Sequence, residues 1–124
     1  MDQAQGKHFS ITDPHNVNTV IYQIHSSEKE FEEFIKEGNV IIDFFATWCG
    51  PCRMMTPVLE DIDTEYEGKL NIGKVDVDAL GEIAAQYMVS SIPTLLFIKD
   101  GELKHTQVGF MPQKSLKHLI DSNF

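Results

Sequence analysis

Cysteine is scarce in this sequence: two residues in 124, at positions 49 and 52. A secreted mini-protein held together by disulfides uses more. Closing so short a loop restrains the unfolded chain little, so the pair is there for chemistry more than for stability. Long apolar runs are missing too. No stretch approaches the roughly 18 residues that suggest a membrane span. The longest, Val40-Ile41-Ile42 continuing past Asp43 through Phe44-Phe45-Ala46, has strand length. Basic residues are few: ten Lys and Arg against nineteen Asp and Glu, a net charge of −9. That balance argues against nucleic acid or anionic membrane as the main partner, because phosphate binding wants clustered cations. The acidic surface is read instead as one that keeps a small protein soluble. Residues 1–19 lack the apolar core and cleavage site of a secretory signal, and lack the Arg of a mitochondrial transit peptide while carrying Asp2 and Asp13. There are no repeats and no low-complexity segments. What is present, 42% hydrophobic residues, suffices for one domain with a real core.

The periodicities predict an alternating order of elements. Residues 1–19 are polar and carry the turn signal Asp13-Pro14-His15-Asn16, so they read as a loose arm, with residues 20–124 as the domain. Val20 to His25 alternates as a half-buried strand. Ser27 with Glu30 forms a capping box ahead of Phe31, Phe34 and Ile35 on one helical face, closed by Gly38. Residues 40–46 are apolar on both sides, as in the central strand of a covered sheet. A long helix runs from about Gly50 to Tyr66, with Pro57 inside it expected to kink it. Leu70 to Val77 is a strand; Leu80, Ile83, Ala84 and Tyr87 mark a short helix. Thr94 to Ile98 and Leu103 to Val108 pair across the hairpin signal Lys99-Asp100-Gly101-Glu102, and Leu116, Leu119 and Ile120 line a last helix. The order β-α-β-α-β-α-β-β-α predicts an α/β domain, a central mixed sheet flanked by helices on both faces.

Trp48-Cys49-Gly50-Pro51-Cys52 joins the buried strand to the long helix. Three-residue spacing in a first helical turn brings the two sulfurs within disulfide range. Cys49 falls at the helix start, where free N–H groups and the dipole favour its thiolate, the form that attacks disulfides. Cys52, one turn inside and more buried, suits resolution of the mixed disulfide. Pro51 fits an early helical position and Gly50 leaves the nucleophile approachable. Half of a zinc site is the rival reading, but structural zinc takes four ligands and the five scattered histidines lack ligand spacing, so no metal is expected. A static disulfide and inert core thiols are the others; the strand-to-helix placement and the flanking Trp, Gly and Pro weigh against both. Asp43 is the one charged group in the central strand. Burial would raise its pKa and make it a proton acceptor for Cys52 near neutral pH; the structural alternative is a carboxylate paired with Lys74. Ile92-Pro93-Thr94 puts a proline directly before an apolar strand, a tight turn for which spacing alone favours the trans bond. Met54 and Met55 are read as gap-filling core residues.

These residues resemble the thioredoxin family over roughly 20–123: Asp43-Phe44, Trp48-Cys49-Gly50-Pro51-Cys52, Pro57, Lys74-Val75-Asp76, Ile92-Pro93-Thr94-Leu95, Lys99-Asp100-Gly101 and Val108-Gly109 stand in family order at family spacing. The resemblance implies the thioredoxin fold and a redox disulfide Cys49–Cys52, with Cys49 attacking, Cys52 resolving, and Asp43 with Lys74 as the proton-relay neighbourhood. It implies a cis bond at Pro93. It also implies a shallow substrate-binding groove made by Trp48, Gly50, Pro51, Ile92, Pro93 and Gly109, where an extended backbone pairs as an edge strand does. The partners it implies are disulfide-containing protein substrates and a thioredoxin reductase. No cofactor is bound, since NADPH belongs to that reductase. A monomer is the expected state and the cytoplasm the expected place, with the mitochondrial matrix after transit-peptide removal as the alternative. Phe45 replaces a frequent second Trp, and Arg53 a frequent Lys. The arm has no counterpart in minimal members, and the extra cysteines of many animal cytosolic members are absent. Gly-Pro between the cysteines points to a protein-disulfide reductase; an oxidant or isomerase of an exporting compartment more often carries His there. The remaining alternative is a redox-competent binding subunit or regulator of a partner protein.

Overall fold

The computed structural model describes residues 21–25 and 27–124. The expectations for residues 1–19 and for Val20 lie outside them. The described elements follow the expected order: β1 (Ile21–Gln23), α1 (Glu28–Ile35), β2 (Asn39–Phe45), α2 (Gly50–Glu65), β3 (Asn71–Asp76), α3 (Gly81–Gln86), β4 (Thr94–Lys99), β5 (Glu102–Val108) and α4 (Gln113–Asn123). Several boundaries move, β1 ending at Gln23, short of His25. β2 begins and ends one residue earlier than the apolar run suggests, and Leu70 and Val77 flank β3 instead of belonging to it. Pro57 does not end α2, which runs on to Glu65 with the ring on its exposed side.

Local chemistry explains several of these limits. Ser27 caps α1, its Oγ accepting the Glu30 N–H at 3.2 Å. Glu30 turns back to the N–H of His25 at 2.9 Å and also receives the Tyr22 hydroxyl, so the capping residue ties β1 to α1. At the β4–β5 hairpin, Asp100 and Gly101 both have positive φ (49° and 84°), the type I′ geometry whose twist suits two adjoining strands. The Asp100 Oδ1 accepts the Gly38 N–H at 2.7 Å and the Asp100 N–H donates to the Gly38 carbonyl at 2.9 Å, pinning the hairpin to the start of β2.

The sheet order is β1-β3-β2-β4-β5; the β1–β3 and β3–β2 pairs are parallel, β2–β4 and β4–β5 antiparallel. Side chains alternate between its faces. Val40, Ile42 and Phe44 join Phe31, Phe34, Ile35, Ile83 and Ala84 of α1 and α3. Ile41, Ile72, Leu95 and Phe97 join Met55, Leu59 and Ile62 of α2 and Leu116 and Ile120 of α4. Helices therefore cover both faces, as expected. Gly73 of β3 permits the close seating of α1: a Cβ there would lie 2.7 Å from Cε2 of Phe34, whose ring stacks on Tyr22 at 5.3 Å. Among the described residues no helix is long and apolar enough to cross a membrane.

Candidate active site

The chain leaves the sheet at Phe45 and turns once before α2 begins. The Cys49 N–H donates to the Ala46 carbonyl at 3.2 Å, which closes that turn. Cys49 is the N-cap of α2, in extended backbone, with its Sγ accepting the Cys52 N–H at 3.2 Å. Sulfur here takes the place of the serine or aspartate oxygen of an ordinary cap. Pro51 has no N–H to compete for it. Cys49 and Cys52 are joined as a disulfide, their Cα atoms 5.3 Å apart. Both are buried, Cys49 at 5% and Cys52 at 2% exposure, so the inner cysteine is the deeper by a small margin. Cys49 Sγ lies 4.0 Å from the Ile92 carbonyl oxygen, and the Ile92–Pro93 bond is cis. Pro93 in turn accepts the Gly109 N–H at 2.8 Å, which sets that glycine beside the cis-proline loop.

Behind the disulfide, Asp43 points to the α2/α4 side of the sheet. It is fully buried, and neither carboxylate oxygen has a hydrogen-bond partner among the described residues. Burial raises its pKa from 3.8 to about 7, against the opposing pull of the Lys74 ammonium. Lys74 is its register partner on β3, with Nζ 3.9 Å from Oδ2, too far for a hydrogen bond. The ammonium instead donates to Thr56 Oγ1 at 3.3 Å and sits 4.5 Å above the centre of the Phe45 ring. The structural alternative for Asp43, a satisfied ion pair with Lys74, is therefore only half realised.

Trp48 and Ile92 line a surface groove of about 470 Å³ together with Val77, Val89, Ser90 and Ser91. Gly50, Pro51, Pro93 and Gly109 lie around the cysteines but do not line that groove. The Trp48 indole N–H donates to Asp78 Oδ2 at 2.8 Å, which fixes a ring that is 67% exposed. Sequence reasoning missed Thr56, Val77, Asp78 and the Val89-Ser90-Ser91 segment. Only the last had a usable signal, its position just ahead of Ile92-Pro93. Met54 is corrected as well: it is exposed on α2, whereas Met55 fills the core as expected. Among the described residues no cluster of three or more His, Cys, Asp or Glu is placed to hold a metal ion.

A disulfide whose outer sulfur caps the helix that follows a buried central strand is placed for exchange with other disulfides, the site of a thiol–disulfide oxidoreductase. Comparison with known proteins agrees. The thioredoxin family model matches residues 22–122. The chain is 47% identical over 100 residues to thioredoxin of Bacillus subtilis, covering 81% of this chain and 96% of that protein. It is 44% identical over 97 residues to thioredoxin of Staphylococcus aureus, covering 78% and 93%. Among solved structures, a mutant thioredoxin from Halobacterium salinarum NRC-1 superposes with a TM-score of 0.75 at 33% identity, over 83% of this chain and 89% of that one. The chain belongs to the thioredoxin family. It is a protein-disulfide reductase with disulfide-containing proteins as substrates and a reductase as its electron source.

Proposed function

We propose that Cys49 is the attacking thiol, Cys52 the resolving thiol and Asp43 the proton acceptor of the cycle. The observation that carries this reading is the Cys52 N–H held on Cys49 Sγ at the first turn of α2. Once the pair is reduced, that donor and the helix terminus favour negative charge on Cys49 and none on Cys52. The Cys49 thiolate attacks one sulfur of a substrate disulfide and expels the other as a thiolate. Cys52 then loses its proton to Asp43, whose pKa of about 7 lets it accept near neutral pH. The new thiolate attacks Cys49 Sγ, the mixed disulfide breaks, and the second substrate thiolate leaves. Two electrons have passed to the substrate, and the Cys49–Cys52 disulfide has re-formed. A thioredoxin reductase returns the electrons from NADPH, which it binds itself.

The substrate backbone pairs with Ile92, whose N–H and C=O have no backbone hydrogen-bond partner among the described residues. Trp48, Gly50, Pro51, Pro93 and Gly109 complete the surface against which the substrate lies. Residues 20–124 act as the domain and as a monomer; residues 1–19 precede the matched segment. The bacterial relatives support action in the cytoplasm and lend nothing to a mitochondrial location.

Trapping tests the assignment. Cys52→Ser should accumulate a covalent adduct between Cys49 and a disulfide substrate, seen by mass spectrometry, while Cys49→Ser should form none and lose reductase activity. An adduct on Cys52 in the Cys49→Ser protein, at a rate matching the wild type, would reverse the two roles.

A further inference from the structure

We propose that Thr56 is a positioning residue that holds the Lys74 ammonium off the Asp43 carboxylate and so sets the pH range in which Asp43 exchanges its proton. The inference rests on the reading of Asp43 as proton acceptor and assigns a device that tunes it. Lys74 and Asp43 are direct neighbours across the β2–β3 pair, and the lysine side chain is only 18% exposed. An ammonium beside an empty carboxylate should close to about 2.8 Å and donate to it. Here it stops at 3.9 Å, with both carboxylate oxygens left bare. Thr56 Oγ1 is the hydrogen-bond acceptor the ammonium has among the described residues, and the Phe45 ring occupies another of its faces. α2 therefore withholds the cation from the acid that α2's own cysteine is to use.

Among the described residues, the remaining surroundings of Asp43 bring no rival charge. Its partner on β4 is Leu95, and α4 meets this side of the sheet with Leu116 and Ile120. Asp63 of α2, the other buried acid among the described residues, stands nearly two helical turns beyond Thr56. Lys74 is the charged group that acts on Asp43, opposing the upward push of burial. The cysteines titrate only when reduced, which makes the oxidised protein the cleaner form to examine. Without the threonine hydroxyl, the strong acceptor left near the half-buried ammonium among the described residues is Asp43. A shorter, hydrogen-bonded pair favours the ionised acid, so its pKa falls.

Carbon-13 NMR of the Asp43 carboxyl through a pH titration of the oxidised protein reads this directly. Thr56→Val keeps the shape and removes the hydroxyl; its Asp43 midpoint should lie lower than wild type by about one pH unit. Thr56→Ser restores the acceptor and should restore the midpoint. Should the valine variant fold poorly, Thr56→Ala in the same helix reads the same quantity. A midpoint in the hydroxyl-free variants equal to or above that of the wild type overturns the proposal. The pH profile of disulfide reduction, measured on the same variants, separates the two readings. A profile that moves with the NMR midpoint supports both. A profile that stays fixed while the midpoint moves defeats Asp43 as the proton acceptor and leaves the Thr56 geometry standing.

Discussion

The two sides of β2 are in different company. Towards α1 and α3, Val40, Ile42 and Phe44 are fully buried among apolar side chains. Towards α2 and α4, Ile41 is equally buried in apolar company, but two residues on the same side presents Asp43, without exposure and without a hydrogen bond. A single strand thus gives one face to cohesion and lends the other a group that opposes it. Such a group persists only where the surrounding structure over-determines its position, and the parallel neighbour β3 and the antiparallel neighbour β4 do so on both flanks. The buried carboxylate thus lies on the face whose helix begins with the cysteines, behind a core that the other face supplies.

The cohesive side is the more sensitive to substitution. Phe44→Ala empties the site of a fully buried ring and should destabilise the fold by about 3–5 kcal/mol, read from urea denaturation. The reduction rate per folded molecule should stay unchanged, and a loss of that rate would mean that the two faces are not separable. From the other side, Asp43 predicts a pH dependence whose sign is fixed. Its pKa is about 7 when folded and 3.8 by nature, so between those values the folded protein keeps a proton that the unfolded chain has lost. The contribution is fully present below about pH 4 and is lost as the pH rises through 7, a span of at most about 4 kcal/mol. Asp43→Asn should flatten that slope and leave the variant the more stable protein at pH 8, while slowing disulfide reduction. A wild-type stability that rises from pH 4.5 to pH 8 would sink the claim.

The smallest effect concerns the place where the apolar face passes into the groove. Met88 ends α3 in left-handed backbone, φ 56°, with its N–H on the Ala85 carbonyl at 3.0 Å and the Val89 N–H on the Ala84 carbonyl at 2.9 Å. That is the Schellman closure, whose turning residue is usually glycine. The side chain is 86% exposed and gains little in return. Met88→Gly should therefore stabilise the protein by about 0.5–1 kcal/mol, the relief of left-handed strain less the added freedom of the unfolded chain. Thermal unfolding checks it; a lower midpoint would show that the exposed methionine contributes to the fold after all.

Much of this was legible in the chain itself. Alternation separated strands from helices, Ser27 and the Asp100-Gly101 pair marked their turns, and Cys49-Gly50-Pro51-Cys52 announced both a helix start and a redox couple. Each of those signals acts over a few residues, where backbone preference and side-chain spacing are the whole of the physics. The sequence also singled out Asp43 as odd, because a carboxylate inside an apolar run is conspicuous without any coordinates. Its surroundings were not legible. That Lys74 reaches Thr56 in place of Asp43, that Asp78 anchors Trp48, and that Val77 and Val89-Ser90-Ser91 wall the groove all depend on side chains brought together from separate elements. No period records such meetings, since they follow from which strands pair, in what register, and how a helix lies across them. Local signals along the chain are enough to place the elements and the cysteine pair; the neighbours of Asp43, and with them its raised pKa, follow from long-range packing that no local signal records.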